Sequence, residues 1–546
     1  MTIKGHMQSW QLMISDVLQH AAIAHPDREI VSRSDEGLWQ YDYQGLARRS
    51  AQCGAMLSDS GIGDGDRVSS LAWNTHWHLE LFFAVPGIGA VLHTANPRLS
   101  DDQITYTINH AGSRMLIYEH CFSDLVARIR PKLTQVAYFV HLGGEGSATP
   151  TIATSRSYDN AIAGYAPELD WPRFDENSGA FLCYTSGTTG DPKGVLYSHR
   201  SVVIHAIAAG LNGALGVTAF DAIMPCQSLY HATAWGLPFV AAINGCKLVL
   251  PGARMDGASL QDLIQTEGVT VSGGVPTIWT MYLDHLQRSG EETASLKRLI
   301  IGGSAVPRAM AELFQETYGV AVNQIWGMTE TSPLGVFASA TPVLENAGED
   351  IKDDVIWSRQ GRRQFGIELR IVDADGMAVP ADGNSAGDLH VRGPWVIERY
   401  FRSPSTALTA DGWFDTGDIA TIDRFGFVRL TDRKKDIIKS GGEWISSIDL
   451  ENCAVAFPGV KVAAVVGVHH PKWEERPVLI VELNDGASVT SEQMLEHLAP
   501  HMPRWWLPDR ILFAPVPLTS TGKVDKKILR ELYGDSLGQG EINSSQ

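Results

Sequence analysis

The stretch best suited to hold phosphates is YTSGTTGDPKGVLYSHR, from Tyr184 to Arg200. It combines hydroxyl donors, glycines that let backbone N–H groups face an anion, and one mobile cation. These residues are Thr185, Ser186, Thr188 and Thr189, then Gly187 and Gly190, and finally Lys193. The spacing differs from the Walker A pattern G-x-x-x-x-G-K-[ST]. We therefore expect a phosphate-binding loop of another class.

The neighbouring residues predict how this loop is held. GAFLCY before it is typical of a buried strand, and SHRSVVIHAIAAG after it predicts a helix capped by Ser198. Similar alternation recurs in KLVLP (247–251) and in LKRLIIGGSAV (296–306), which is followed by the helical PRAMAELFQETYG. Alternating strands and helices indicate parallel α/β layers.

The pattern changes near Gln364, where FGIELRIVDADGMAVP, GDLHVRG and GFVRLTDRKKD predict hairpin strands. From Ser446 the order becomes helix, strand, strand, helix, strand, helix, which fits a compact α+β unit. The expected fold is α/β, with a large N-terminal domain of layered parallel sheets plus a β-barrel-like part, and a small α+β C-terminal domain. We place the two domains at residues 1–431 and 437–546, with the charged segment 432–436 between them.

Composition narrows the class of protein. The chain has 546 residues, a net charge of -18 and a sequence pI of about 5.4, which argues against a nucleic-acid binder. Six scattered cysteines without a C-x-x-C pair favour reduced thiols and a cytoplasmic location. The N-terminus has no apolar signal-peptide region, and the apolar run Leu81–Leu92 is too short to span a membrane. We expect no membrane insertion.

Several further motifs occur in a fixed order along the chain. They are HTANPRLS (93–100), SLYHATAWGLP (228–238), GGSAVP (302–307), QIWGMTETSP (324–333), GWFDTGD (412–418), DRKKDIIKSGGEWISSIDLEN (432–452) and PLTSTGKVDKKILR (517–530). Together with the phosphate loop, this set resembles the adenylate-forming superfamily of acyl-CoA synthetases, firefly luciferase and peptide-synthetase adenylation domains. The resemblance covers most of the chain from Tyr43 to Arg530.

The resemblance implies an enzyme that uses ATP, Mg²⁺ and coenzyme A. A small carboxylic acid would attack the α-phosphate of ATP, giving acyl-AMP and pyrophosphate, and a thiol would then displace AMP. The resemblance assigns Thr185–Gly190 and Lys193 to the β- and γ-phosphates. Glu330 would hold Mg²⁺ with help from Thr185, and Thr329 would contact the α-phosphate. Lys523 would bridge the substrate carboxylate and the α-phosphate.

The resemblance also implies a site for AMP. Trp326 would lie beside adenine, with Gly302, Gly303 and Ser304 on the opposite wall and Gln324 at the edge. Asp418 would accept both ribose hydroxyls, joined by Arg433. Gly327, Met328 and Pro333 from the GMTETSP segment complete the expected nucleotide-binding set.

The second half-reaction implies a moving C-terminal domain. The small domain would rotate at Arg433-Lys434-Lys435, with Lys435 in the hinge position. After rotation, Lys439, Gly441, Gly442 and Glu443 would line the tunnel for the pantetheine arm of coenzyme A. A homodimer is also expected from the resemblance.

The acid is less clearly specified. His231 and Trp235 match a histidine and an aromatic residue near the acyl entrance. Because a carboxylate is already ionised at pH 7, positioning or gating suits His231 better than base catalysis, and a packed histidine is the alternative. The sequence resembles most closely the methylmercaptopropionate ligase group, and Trp235, Trp326 and Met328 could form a short, sulfur-friendly pocket. Medium- or long-chain fatty acids are the alternative, and a luciferase-like monooxygenase is the competing class.

Overall fold

The computed structural model describes residues 3, 5–144, 155–185, 191–441, 443–519, 522–534 and 536–537. The strands are β1 (Glu29–Ser34), β2 (Gly37–Asp42), β3 (Arg67–Leu71), β4 (Val91–Thr94), β5 (Met115–Glu119), β6 (Tyr138–Leu142), β7 (Arg156–Ser157), β8 (Gly179–Tyr184), β9 (Gly194–Ser198), β10 (Ala222–Pro225), β11 (Lys247–Leu250), β12 (Val271–Gly274), β13 (Arg298–Ile301), β14 (Ala321–Gly327), β15 (Leu334–Phe337), β16 (Gly361–Arg363), β17 (Glu368–Val372), β18 (Gly387–Arg392), β19 (Phe414–Ile422), β20 (Phe427–Arg433), β21 (Ile438–Ser440), β22 (Glu443–Ile445), β23 (Val460–His470), β24 (Glu474–Leu483) and β25 (Arg510–Phe513).

The helices are α1 (Ile14–Ala24), α2 (Tyr43–Asp59), α3 (His76–Gly87), α4 (Asp101–Ala111), α5 (Ser123–Ile129), α6 (Tyr158–Ile162), α7 (His199–Gly210), α8 (Leu237–Asn244), α9 (Gly257–Glu267), α10 (Pro276–Ser289), α11 (Arg308–Tyr318), α12 (Pro342–Glu345), α13 (Glu349–Ser358), α14 (Ser447–Val455), α15 (Ser491–Leu498) and α16 (Lys526–Tyr533). None of them, within the described ranges, combines the length and apolarity needed to cross a lipid bilayer.

Two large sheets form the N-terminal domain. The first has the order β7-β6-β5-β3-β4-β8-β9 and is parallel except at β9. The second runs β17-β18-β19-β20-β16-β15-β14-β13-β12-β10-β11-β1-β2. Its central strands β10 to β14 and β1 are parallel, and the antiparallel strands β15 to β20 continue from β14. The predicted change from alternating α/β to hairpin strands near Gln364 is confirmed.

The core lies between these layers. Every residue of α3 is buried, which agrees with the apolar run at Leu81–Leu92. Its side chains join a cluster that includes residues of both large sheets, such as Phe181 and Ile223. Because α3 is buried on every side, it packs between the two layers, and its charged Glu80 pairs with Arg49.

The C-terminal domain has its own sheet and core. The sheet has the order β22-β21-β24-β23, with β25 pairing β24 in parallel. The clusters around Leu479 and Ile480 lie on its two faces and consist of residues after 437. The helices and strands α14, β23, β24, α15, β25 and α16 follow the predicted order, and a short hairpin precedes them.

Candidate active site

The carboxyl ends of neighbouring parallel strands define one edge of the second sheet. β12, β13 and β14 pair in register, so the segments that follow β13 and β14 lie side by side. The N–H of Gly302 donates to the carbonyl of Gly274 (3.3 Å), which holds the segment 302–304 at this edge. The predicted Gly302, Gly303 and Ser304 therefore lie next to the turn that carries Thr329 and Glu330.

Lys523 reaches the same edge from the C-terminal domain. Its Cε lies 3.6 Å from the position that a Cβ would take on Gly303. The preceding Gly522 has a φ of +78°, and a Cβ on it would come within 3.1 Å of the Thr277 hydroxyl. The loop of the small domain thus packs directly on the large domain, and small residues permit the close approach.

Charged groups of the large domain and of the 432–436 segment act on Lys523. Desolvation lowers the pKa of Lys523 to about 8, and the positive charge of Arg433 adds to the decrease, whereas Asp418 and Glu330 oppose it. Desolvation also lowers the pKa of His231 to about 4, with a smaller effect from Lys523. His231 is therefore neutral at pH 7. Lys523 lies near Glu330, which the resemblance assigned to Mg²⁺, and near Asp418, which it assigned to the ribose.

Glu330 lies on a short 3₁₀ turn, Thr329–Thr331, between β14 and β15. It is 7% exposed, and its Oε1 accepts a hydrogen bond from the Tyr400 hydroxyl (2.8 Å). Burial raises the pKa of Glu330, and the bond from Tyr400 opposes this increase. The Tyr400 hydroxyl thus fixes one oxygen of this buried carboxylate.

The backbone of this turn is held from several directions. The carbonyl of Glu330 accepts from the N–H of Ile397 (2.8 Å), and that of Thr329 accepts from the Tyr197 hydroxyl (2.6 Å). At its base, the N–H of Met328 donates to the carbonyl of Pro333 (3.1 Å). A Cβ on Gly327 would overlap this carbonyl, so glycine is required there. The predicted Gly327, Met328 and Pro333 thus form the base of the turn.

The two ends of the phosphate loop are joined as in a hairpin. The N–H of Thr185 donates to the carbonyl of Lys193 (2.9 Å), and the N–H of Lys193 donates to the Thr185 hydroxyl (3.3 Å). The Lys193 ammonium lies 4.9 Å above the ring of Tyr400. The predicted strand and helix are confirmed as β8 and α7, and the Ser198 side chain caps α7 by accepting from the N–H of Ser201. The predicted Ser186, Gly187, Thr188, Thr189 and Gly190 lie outside the described residues.

Asp418 is held by two of the residues predicted for the AMP site. Its Oδ2 accepts from the indole N–H of Trp326 (2.8 Å), and its Oδ1 lies 3.2 Å from Arg433 Nε. Asp418 is 3% exposed, so these partners offset much of the cost of burying its charge. Gln324 is buried, and its side-chain amide donates a hydrogen bond to the carbonyl of Trp357.

His231 borders a narrow cleft that also reaches Thr185. Its other lining residues include His93, Thr94 and Tyr230. The segment after His231 is unusual, because residues 232–235 have φ between 41° and 57° and none of them is glycine. Trp235 is buried, and the left-handed conformation continues into Gly236. Such a turn is unfavourable for L-residues and requires its surroundings to hold it, which sequence patterns alone do not reveal.

Comparison with known proteins identifies the family of this chain. The pattern of the AMP-binding enzyme family matches residues 18–401, and that of the AMP-binding enzyme C-terminal domain matches residues 449–523. This chain belongs to the AMP-binding enzyme family.

Two curated relatives and one solved structure illustrate the likeness. A 3-methylmercaptopropionyl-CoA ligase of Ruegeria lacuscaerulensis (strain DSM 11314 / KCTC 2953 / ITI-1157) is 44% identical over 98% of this chain and 99% of its own. A medium-chain-fatty-acid–CoA ligase of Ectopseudomonas oleovorans is 42% identical over 98% of both chains. The crystal structure of an anthranilate CoA ligase in complex with anthranoyl-AMP has a TM-score of 0.87 at 23% identity, covering 98% of this chain and all of that one.

The residues that the resemblance assigns to coenzyme A lie apart from the nucleotide residues in this arrangement. Lys439, Gly441 and Glu443 are exposed on the hairpin of β21 and β22. The N–H of Lys439 donates to Glu475 (3.0 Å), and that of Gly441 donates to the carbonyl of Trp473 (2.9 Å), both in the small domain. Lys435 lies at the surface between the domains, where its carbonyl accepts from Arg530. Gly442 lies outside the described residues.

Sequence reasoning missed two tyrosines that support the site. Tyr197 and Tyr400 each direct a hydroxyl at the turn of Thr329 and Glu330. Tyr197 lies just beyond the phosphate loop, and Tyr400 lies 70 positions after Glu330. A tyrosine in a mixed loop or strand gives no signal of its hydroxyl partner, so only the folded chain identifies them.

Proposed function

We propose that this chain is an AMP-forming acid–CoA ligase that converts a carboxylate, ATP and coenzyme A to acyl-CoA, AMP and pyrophosphate. The observation that carries the proposal is the position of Lys523. A cation of the small domain lies at Gly303, near Glu330 and Asp418 of the large domain and Arg433 of the hinge. Such a cation can contact the substrate carboxylate and the α-phosphate together, where their charges repel most strongly.

In the first half-reaction, a carboxylate oxygen attacks the α-phosphorus and the bond to pyrophosphate breaks. Lys523 stabilises the charge that collects around the α-phosphate, and Thr329 contacts this group from the fixed turn. Lys193 and Thr185, with the loop 186–190, hold the β- and γ-phosphates until pyrophosphate leaves. The acid attacks as a carboxylate, so no base is needed, and neutral His231 serves to position or gate it.

The donor set near Glu330 fits a magnesium ion. A buried carboxylate with one oxygen held by Tyr400, together with the Thr185 hydroxyl, offers the hard ligands that Mg²⁺ prefers. The rest of its coordination sphere would come from ATP phosphates and water. When bound, Mg²⁺ neutralises phosphate charge, and Glu330 and Thr185 orient it relative to the phosphate loop.

The AMP part of the nucleotide stays bound through both half-reactions. Asp418 is placed to accept the ribose hydroxyls, with Arg433 beside it. Trp326 lies close enough to bond Asp418, and the segment 302–304 lies on the same sheet edge. In the second half-reaction the thiolate sulfur attacks the acyl carbon, the bond to AMP breaks, and the phosphate oxygen of AMP takes the electron pair.

We further propose that the present arrangement is the one for adenylation and that the small domain (437–546) rotates against the large one (1–431) about the hinge 432–436. Contacts across this boundary support the idea. The Ser446 hydroxyl donates to the carbonyl of Thr431 (2.6 Å), and Arg429 of β20 pairs with Asp449 of α14 (2.7 Å). These contacts join chain segments on either side of the hinge, so rotation would break them and expose Lys439, Gly441, Gly442 and Glu443 to the site.

The Arg429–Asp449 pair gives a test of this rotation. Arg429→Asp should slow acyl-adenylate formation about threefold and leave thioester formation from preformed acyl-AMP unchanged, because like charges disfavour only the present arrangement. The double variant Arg429→Asp/Asp449→Arg should recover the wild-type rate of acyl-adenylate formation. Single-turnover kinetics of each half-reaction measure both rates. The control is a charge reversal, Lys461→Glu, in the Lys461–Glu482 pair (2.7 Å), which lies within the small domain. Equal slowing of both half-reactions by Arg429→Asp would contradict the proposal.

For the acid, we propose 3-methylmercaptopropionate or a related short- or medium-chain acid. The support is the 44% identity to a 3-methylmercaptopropionyl-CoA ligase over nearly the whole chain. The medium-chain alternative has a specific basis, since a medium-chain-fatty-acid–CoA ligase is 42% identical. We also propose a homodimer in the cytoplasm, on the strength of the resemblance.

A panel of acids should separate these alternatives. We expect kcat/KM for 3-methylmercaptopropionate and butyrate to exceed that for decanoate and palmitate by at least about tenfold, because each extra methylene in a short pocket adds steric cost. The measurement is AMP release with coenzyme A present. Faster turnover of decanoate would refute the short-acid assignment. Light or CO₂ production without coenzyme A would favour the luciferase-like class instead.

A further inference from the structure

The segment that precedes and includes Phe401 connects two parts of the proposed active site. At one end the N–H of Ile397 donates to the carbonyl of Glu330 (2.8 Å). At the other, the N–H of Phe401 donates to the carbonyl of Gly194 (2.8 Å), the residue after Lys193. Residues 397–401 therefore span the distance between the Glu330 turn and the end of the phosphate loop.

Tyr400 uses this position to contact both side chains. Its hydroxyl donates to Glu330 Oε1 (2.8 Å), and its ring lies 4.9 Å below the Lys193 ammonium. The hydroxyl bond fixes the orientation of the Glu330 carboxylate. The ring face attracts the ammonium and thereby limits where this long, exposed side chain can go.

We propose that Tyr400 is a positioning residue that sets Glu330 and Lys193 at the spacing needed for a magnesium–triphosphate group. This rests on the proposed function, because Glu330 and Lys193 are taken as ligands of Mg²⁺ and of the β- and γ-phosphates. The two contacts divide the task. The hydroxyl orients the carboxylate towards the metal, and the ring orients the cation towards the phosphates.

Two substitutions separate the contacts. Tyr400→Phe keeps the ring and removes the hydroxyl, so we expect the Mg²⁺ concentration for half-maximal binding of ATP to rise about tenfold, while binding of ATP in EDTA is unchanged. Tyr400→Leu removes both contacts and should also weaken binding of ATP in EDTA about threefold. Isothermal titration calorimetry with ATP, at fixed Mg²⁺ concentrations and in EDTA, measures both effects without relying on turnover.

A matched control is available at the surface of the same domain. The Tyr165 hydroxyl donates to an Asp59 carboxylate oxygen at a similar distance (2.7 Å), away from the site. Tyr165→Phe should leave ATP binding and its Mg²⁺ dependence at wild-type values. Thermal unfolding of all three variants shows whether they fold.

The outcomes distinguish this inference from the function on which it rests. If Tyr400→Phe matches Tyr165→Phe, or weakens ATP binding equally with Mg²⁺ and with EDTA, Tyr400 has only a structural role and the inference is wrong. If the wild-type protein binds no ATP and releases no AMP from any acid, the proposed function itself fails. A wild-type protein that ligates acids, with a Tyr400→Phe variant that responds normally to Mg²⁺, overturns the Tyr400 inference alone.

Discussion

Lys523→Ala should reduce formation of the acyl-adenylate at least ~100-fold and change thioester formation from preformed acyl-AMP by no more than about twofold. The reason is that, in the proposed mechanism, Lys523 meets the carboxylate and the α-phosphate only during adenylation. The thiol step would take place after the small domain has rotated. Pyrophosphate release measures the first half-reaction, and acyl-CoA formation from synthetic acyl-AMP measures the second.

The pKa of Lys523 adds a second observable to this prediction. Because that pKa is lowered to about 8, the protonated form is lost as pH rises through about 8. We expect kcat/KM for ATP, which reports the free enzyme, to fall above that pH in the wild type. Lys523→Arg should remain flat there, since guanidinium stays charged.

Exposed Lys527, four residues along on α16, is the control: Lys527→Ala should match the wild type in both half-reactions. Equal loss of both half-reactions in Lys523→Ala would contradict the assignment of this lysine to the first step.

Asp418→Ala should weaken ATP binding about 100-fold and, unlike the Lys523 change, impair both half-reactions. Asp418 is almost fully buried and holds Trp326 and Arg433, so its loss removes the proposed ribose acceptor and leaves two donors without it. Calorimetric titration with ATP and with AMP measures the effect. Asp418→Asn, which keeps the shape but not the charge, should bind ATP with an affinity between those of Asp418→Ala and the wild type.

The matched control for Asp418 is Asp411, an exposed carboxylate that pairs with Arg370 (2.7 Å). Asp411→Ala should leave both titrations unchanged. Should Asp418→Ala bind AMP as tightly as the wild type, the ribose assignment would be wrong, and Asp418 would act only as a support for Trp326.

Local features were predicted well from the sequence. The strand and helix around Lys193, the cap at Ser198 and the order of elements after Ser446 agree with the structure. Each depends on contacts within a few residues: apolar periodicity, a hydroxyl that accepts from the helix N-terminus, or a turn residue. Such interactions involve residues that are close in the chain, so the local sequence is enough to predict them.

The partners of the site residues were not predictable in the same way. The sequence placed Trp326 beside adenine, and the structure shows its indole N–H bound to Asp418, 92 positions away. The first four residues of the left-handed turn at 232–236 are not glycine, so their sequence does not indicate it. Both depend on packing against segments that are distant in the chain. This packing offsets a local conformational cost, which residue propensities alone would take as evidence against such a structure.

The sequence by itself determined the family and the chemistry, because an ordered set of motifs carries hydroxyls, glycines, carboxylates and lysines in fixed types and spacings. Only the tertiary structure decided which groups meet. It brings Lys523 of one domain to Glu330 and Asp418 of another, and Tyr400 between Glu330 and Lys193. The physical reason is that a charge or hydrogen bond acts over a few ångströms in space, and distance in the chain says nothing about it.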